Sequence, residues 1–251
     1  VIPNIKGMDS FKGPLFHSSR WPEELDYAGK RVGIIGAGAT TVQMLPVMAQ
    51  TAKSVTVFHR TPNFILPAMQ RPMTPEWEKE IKENYDEIVA KCRNHIFGLA
   101  VETSPEERQR IFEEKWTGSF RWVFETFEDL LGDPDANLWA SEFIINKMRE
   151  RIEDPEVADI LVPKPGEYPL FAKRPPLDHG YLEAYSRDNV HLVDIAEREP
   201  IVEINETGIT TSKGHHEFDI IVLATGFDAA TGAINAIDIR GRDGVSLKSL
   251  W

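Results

Sequence analysis

The sequence predicts an α/β fold: a Rossmann-like domain with a parallel sheet, carrying a largely helical insertion. Three observations predict it. The stretch 30–61, KRVGIIGAGATTVQMLPVMAQTAKSVTVFHRT, orders an apolar run, a glycine turn, a helix-compatible run and a second apolar run. Residues 219–223, DIIVL, contain a strongly apolar strand, suited to burial on both faces of a parallel sheet. Between them, residues 74–162 repeat helix-start signals where a simple doubly wound domain has only a short crossover.

The first βαβ part spans 30–73. Val32 to Ile35 is β-branched and apolar, so it reads as a strand. Gly36 permits a tight turn, and Gly38 lets a pyrophosphate approach the backbone. Ala39, Thr40, Thr41 and Gln43 open the helix, whose first N–H groups would face that anion. Pro46 is expected to kink or shorten this helix. The motif's third position, usually Gly or Ala, is Thr41, a departure from the pattern. The second strand, 54–58, ends in His59-Arg60-Thr61, about twenty residues after Gly38. An acid there would bond ribose hydroxyls. Arg60 instead suits a 2′-phosphate and so NADP(H), or it is a solvated strand-end residue.

The chain has 251 residues and a net charge of −12. That balance disfavours nucleic acid or an anionic membrane as partner, since both recruit basic surfaces. Clustered Arg and Lys therefore carry more information here. Cys92 is the only cysteine, which excludes an intrachain disulfide and fits a reducing, cytoplasmic compartment. No apolar run reaches the roughly 18 residues of a membrane span. No ligand cluster for a metal is evident.

Residues 1–29 are rich in Gly, Pro and Ser and read as a linker. They contain Phe11, Gly13, His17, Trp21 and Pro22, either as a plugged domain seam or as something more specific. Thr74-Pro75-Glu76 starts a helix expected to run to about Asn94. Ser104-Pro105-Glu106-Glu107 repeats the device, with Glu107 placed for a capping box. That second helix, broken near Gly118, carries Ile111, Phe112, Trp116, Phe120, Trp122, Val123 and Phe127 at core spacing. Asp133-Pro134-Asp135 is a break before a third helix over 136–151, and Asp154-Pro155-Glu156 starts a fourth. Residues 163–228 complete the sheet domain. Strands are expected at 190–195 and 201–205, the latter in a hairpin with 209–211. Ala224, Thr225 and Gly226 follow the last strand, as a plain tight turn or as a small-residue ligand path. Lys173-Arg174, followed by two prolines, is a stiff cationic point in an acidic chain, or a solvated pair.

Taken together, Phe11, Gly13, His17, Trp21 and Pro22 match the pattern F-x-G-x-x-x-H-x-x-x-W-P, directly before the glycine turn. With Arg60-Thr61-Pro62, Lys173-Arg174, Arg187-Asp188-Asn189-Val190 and Ala224-Thr225-Gly226-Phe227-Asp228, the chain resembles class B flavoprotein monooxygenases. It resembles most closely the Baeyer–Villiger monooxygenases. The resemblance implies NADPH reducing FAD, oxygen activation at the flavin, and oxygen insertion beside a ketone carbonyl to give an ester or lactone. O2 and a small ketone are then the partners. It implies that Arg174 stabilises the anionic oxygen species and the developing oxyanion. Lys173 and Arg60 then hold the 2′-phosphate, Gly36 and Gly38 carry the pyrophosphate, and His17 and Trp21 couple domain motion to NADPH binding.

The resemblance also implies an earlier glycine motif for FAD, an acid partnering Arg174 and a substrate-lining part, all outside this stretch. The chain is thus expected to be a central piece, with 229–251 starting a return to an FAD domain. Alone it is expected to bind FAD poorly and to catalyse no oxygenation. Two alternatives stand beside this: an N- or S-oxygenase of the same class, and a non-catalytic NADP-binding module.

Overall fold

In the computed structural model, residues 1–68, 70–91, 97–116, 121–228 and 232–250 are described. Cys92, Asn94, Gly118 and Phe120 lie outside them, so the end of the first insertion helix and the break at Gly118 do too.

The strands of the main sheet are β1 (Leu15–His17), β2 (Arg31–Ile35), β3 (Ser54–His59), β6 (Val190–Asp194) and β10 (Ile220–Leu223). Among the described residues they form one five-stranded sheet, order β1-β10-β2-β3-β6, every pair parallel. β2 is central. The chain leaves it through α1 (Ala39–Met48) to β3 and β6, then returns to β10 on the other side. The strand order therefore reverses between β2 and β10, where open α/β sheets place their ligands.

Period-two alternation divides the sheet's residues between two cores. Val32, Ile34, Val55, Val57, Ile220 and Val222 pack on the α1 side against Val42, Leu45 and Met48. Ile35, Phe58, Ile221 and Leu223 face the other way, onto Ile204, Ile209 and Phe218. That second layer is the antiparallel sheet of β7 (Ile201–Asn205), β8 (Gly208–Thr211) and β9 (His215–Glu217).

Four expectations change. Residues 1–29 do more than connect, because Leu15–His17 pairs with β10 at the sheet edge. Three residues are too few to show alternation in sequence. α1 runs through Pro46 to Met48 rather than stopping. Burying Val42, Leu45 and Met48, roughly 1.5–3 kcal/mol each, outweighs the roughly 3 kcal/mol of an interior proline. The first insertion helix is two, α2 (Pro75–Glu83) and α3 (Tyr85–Lys91), interrupted at Asn84. At Ser104 only half of the capping box forms. Ser104 Oγ accepts from Glu107 N–H, while the Glu107 carboxylate pairs with Arg110.

Helices α4 (Pro105–Lys115), α5 (Arg121–Glu125), α6 (Pro134–Arg149) and α7 (Pro155–Leu161) follow. Phe112, Trp122, Phe127 and Phe143 are buried in one aromatic cluster, with Trp116 against it. Arg151, just past α6, ties this layer to the sheet domain. It holds Asp178 of β5 (Leu177–Asp178) at 2.9 Å and Glu183 at 2.6 Å. β5 pairs in parallel with β4 (Leu66–Pro67).

Candidate functional site: the carboxyl end of the parallel sheet

Every expected cofactor residue after a strand of this sheet sits at its carboxyl end. After β2, Gly36 takes φ +114° and donates its N–H to Phe58 O at 3.1 Å. A Cβ there would lie 2.3 Å from Ala224 O, so only glycine lets the β2 and β10 exits meet. Gly38 is different. Its Cβ direction is open, with nothing within 4 Å. It N-caps α1 without any side-chain cap, so the first-turn N–H groups of Ala39, Thr40 and Thr41 have no acceptor within the helix. Thr41 is buried and its Oγ1 donates to Gly36 O at 2.7 Å. The hydroxyl thus closes the turn where the motif usually has Gly or Ala. Gln43 is exposed on the same helix.

After β10, Ala224 N–H donates to Ile35 O at 2.8 Å, and Gly226 takes φ +77°. His17, buried at the end of β1, reaches this turn. Its Nε2 donates to Gly226 O at 3.1 Å, while Nδ1 accepts from Ser19 N at 3.2 Å. Both ring nitrogens thus have partners, and Phe227 meets the ring edge-on at 5.4 Å. Gly13 lies so close to β10 that a Cβ would stand 2.3 Å from Asp219 O, and Phe11 packs on the second core. Trp21 is exposed, edge-on to Phe16 at 5.2 Å, with Pro22 behind it in the chain. It lines an open depression of about 490 Å³ with Tyr27, Thr40, Gln43 and Met44.

The basic residues come from two further segments. Arg60 and Thr61 are exposed directly after β3. His59 beside them is buried, and desolvation pushes its imidazole down to about 4, against the pull of Asp194. It is therefore neutral and does not repel Arg60. Lys173 and Arg174 are exposed on the loop before β5, just after Phe171, which sits strained at φ +71°. The two segments touch. Asn63 Nδ2 donates to Arg174 O at 3.3 Å, and Tyr168 Oη donates to Pro62 O at 2.8 Å. The β4–β5 pairing continues that seam. Sequence reasoning missed Tyr168 and Asn63, because no local periodicity pairs residues so far apart in the chain.

Comparison with known proteins agrees with the α/β fold. Residues 2–97 match the family described as flavin-binding monooxygenase-like. The cyclohexanone 1,2-monooxygenase of an Acinetobacter species is 41% identical, over all of this chain and 47% of the relative. The phenazine N-monooxygenase PhzNO1 of Lysobacter antibioticus is 40% identical, over all of this chain and 48% of the relative. A crystal structure of OTEMO in complex with FAD and NADP superposes with TM-score 0.91 at 41% identity, covering all of this chain and 49% of that one. The chain spans about half the length of the curated relatives it matches. Along its whole length the chain is similar to Baeyer–Villiger monooxygenases, and its residues 2–97 match the flavin-binding monooxygenase-like family.

Proposed function

We propose that this chain provides the nicotinamide-cofactor site of an NADPH- and FAD-dependent monooxygenase. The reaction inserts one oxygen atom beside a ketone carbonyl and gives an ester or lactone. The observation that carries the reading is an uncapped glycine turn at the switch point, at the sheet end where Arg60 leaves β3 and its segment touches that of Lys173-Arg174.

The residues present fit NADP(H). The open face of Gly38 admits a pyrophosphate, and the amides of Ala39, Thr40 and Thr41 donate toward it. Arg60, Thr61 and Lys173 hold the 2′-phosphate, with Lys173 as a point charge and Arg60 as a fork. For FAD the fit is partial. Ala224, Thr225 and Gly226 offer a small-residue path, but the sequence has a single G-x-G turn, at Gly36–Gly38. Alone, the chain is therefore expected to bind FAD weakly. The bound cofactors supply hydride transfer and oxygen activation. Arg174 sets a fixed positive charge where negative charge grows on the ketone oxygen. His17 links β1 to the β10 exit, so that movement of one reaches the other.

O2 and a small ketone are the partners in this reading. An acidic chain of net charge −12 argues against nucleic acid. Among the described residues no helix is long and apolar enough to cross a membrane. A single cysteine agrees with a cytoplasmic setting.

The test is Arg174→Ala in the natural protein that carries this chain. Ester formation from a cyclic ketone should fall by at least a hundredfold while NADPH oxidation continues. Unchanged ester formation removes Arg174 from the chemistry. A second reading, oxygenation of a nitrogen, is favoured by the 40% identity to a phenazine N-monooxygenase. Faster turnover of an aromatic N-heterocycle than of any ketone would select it.

A further inference from the structure

The two cations assigned to the 2′-phosphate lie on segments more than a hundred residues apart, and one side chain bridges them. Tyr168 Oη donates to Pro62 O at 2.8 Å, two residues after Arg60, and lies 3.3 Å from Asn63 Oδ1. Its ring carries the Lys173 ammonium at 4.0 Å from the centroid. Phe64 closes on the same ring edge-on at 5.3 Å. Asn63, next in the chain to Pro62, donates from Nδ2 to Arg174 O. Burial pushes the Tyr168 phenol up to about 12, so the hydroxyl remains a donor across the working pH range.

From this arrangement we infer that Tyr168 is a positioning residue for dinucleotide selectivity. It fixes Lys173 through its ring and the Arg60 segment through its hydroxyl, so both cations meet one 2′-phosphate. Lys173 has four rotatable bonds and no carboxylate partner among the described residues. An aromatic face restrains its ammonium without neutralising it, whereas a carboxylate would compete with the phosphate. The hydroxyl contact does the same for the backbone that carries Arg60. The inference rests on the reading of Arg60 and Lys173 as 2′-phosphate ligands.

NADP⁺ and NAD⁺ differ only by that phosphate, so calorimetric titration of the full chain with each isolates it. The wild type should bind NADP⁺ more tightly. Tyr168→Leu removes both contacts and should cut the NADP⁺-over-NAD⁺ preference about tenfold. Tyr168→Phe keeps the ring and should cut it about threefold. NAD⁺ affinity should hold in both variants, because the glycine turn is untouched, and this shows that they are folded. An unchanged preference in both variants overturns the role of Tyr168. So does an equal loss for both nucleotides. A wild type with no preference instead overturns the 2′-phosphate reading beneath it.

Discussion

The two ends of the parallel sheet treat positive charge in opposite ways. At the amino end, Arg31 opens β2 and is satisfied within the chain. It meets Asp219 at 2.9 Å and Glu217 at 2.6 Å, and hydrogen bonds from Arg31 hold Asp219 below its ordinary range. At the carboxyl end, Arg60 follows β3 with no ion pair among the described residues, and Lys173 rests on a tyrosine face. The chain has 40 acidic residues against 28 basic ones, so partners are not scarce. A cation kept from them is available to an outside anion. Paired charge at the amino end serves the fold, whereas the cations at the carboxyl end suit the proposed ligand role.

Mutations can break or sharpen that contrast. The largest effect is expected at the glycines. Gly36→Ala places a Cβ against Ala224 O at a positive φ and should cost on the order of 3 kcal/mol or more in urea unfolding. Gly38→Ala meets nothing in the chain and should cost at most about 1 kcal/mol. It should nonetheless weaken NADP⁺ more than about tenfold in the same preparation, by filling the pyrophosphate's approach. If both residues behaved alike, the distinction between fold glycine and ligand glycine would fail.

Next comes pH. His59 is neutral in the fold, with a pKa of about 4 against an ordinary 6.5. The unfolded chain therefore binds the extra proton first. The contribution of His59 is intact above pH 6.5 and is lost as pH falls toward 4, on the order of 3 kcal/mol. Stability measured by denaturant between pH 7 and 4.5 should drop in the wild type and stay flatter in His59→Gln. Equal slopes would show that His59 is not the group responsible.

Arg60→Ala should then weaken NADPH by about 1–3 kcal/mol and NADH hardly at all, with stability unchanged. Equal losses for the two nucleotides would mean that Arg60 does not read the 2′-phosphate. Smallest of all, Arg31→Ala should cost less than about 1 kcal/mol of stability, since its pairs are partly exposed. It should leave nucleotide affinity alone. A binding defect there would erase the difference between the two ends.

Much of this was legible where the signal is local. The strand–glycine–helix order, the buried run of β10 and the hairpin at Glu206–Gly208 are written in neighbouring residues. Pro46 misled because its penalty is local, while the burial that overrides it comes from the sheet. β9 carries His215, His216 and Glu217, so its composition reads as a loop; pairing with β8 alone makes it a strand. The expected basic residues were visible as residue types. The contacts that join their segments were not, because Tyr168 and Pro62 are more than a hundred residues apart in the chain and sit beside the β4–β5 pairing.

The place of β10 has a consequence for how the molecule is made. Ile35 pairs with Leu223, so one side of the apolar central strand stays without its neighbour until residues 220–223 have left the ribosome. At cellular synthesis rates that delay is roughly ten to forty seconds. During it, the nascent chain displays an unpaired sheet margin that could template aggregation. Prematurely terminated products ending before Ile220 should accordingly be recovered bound to chaperones or as insoluble material.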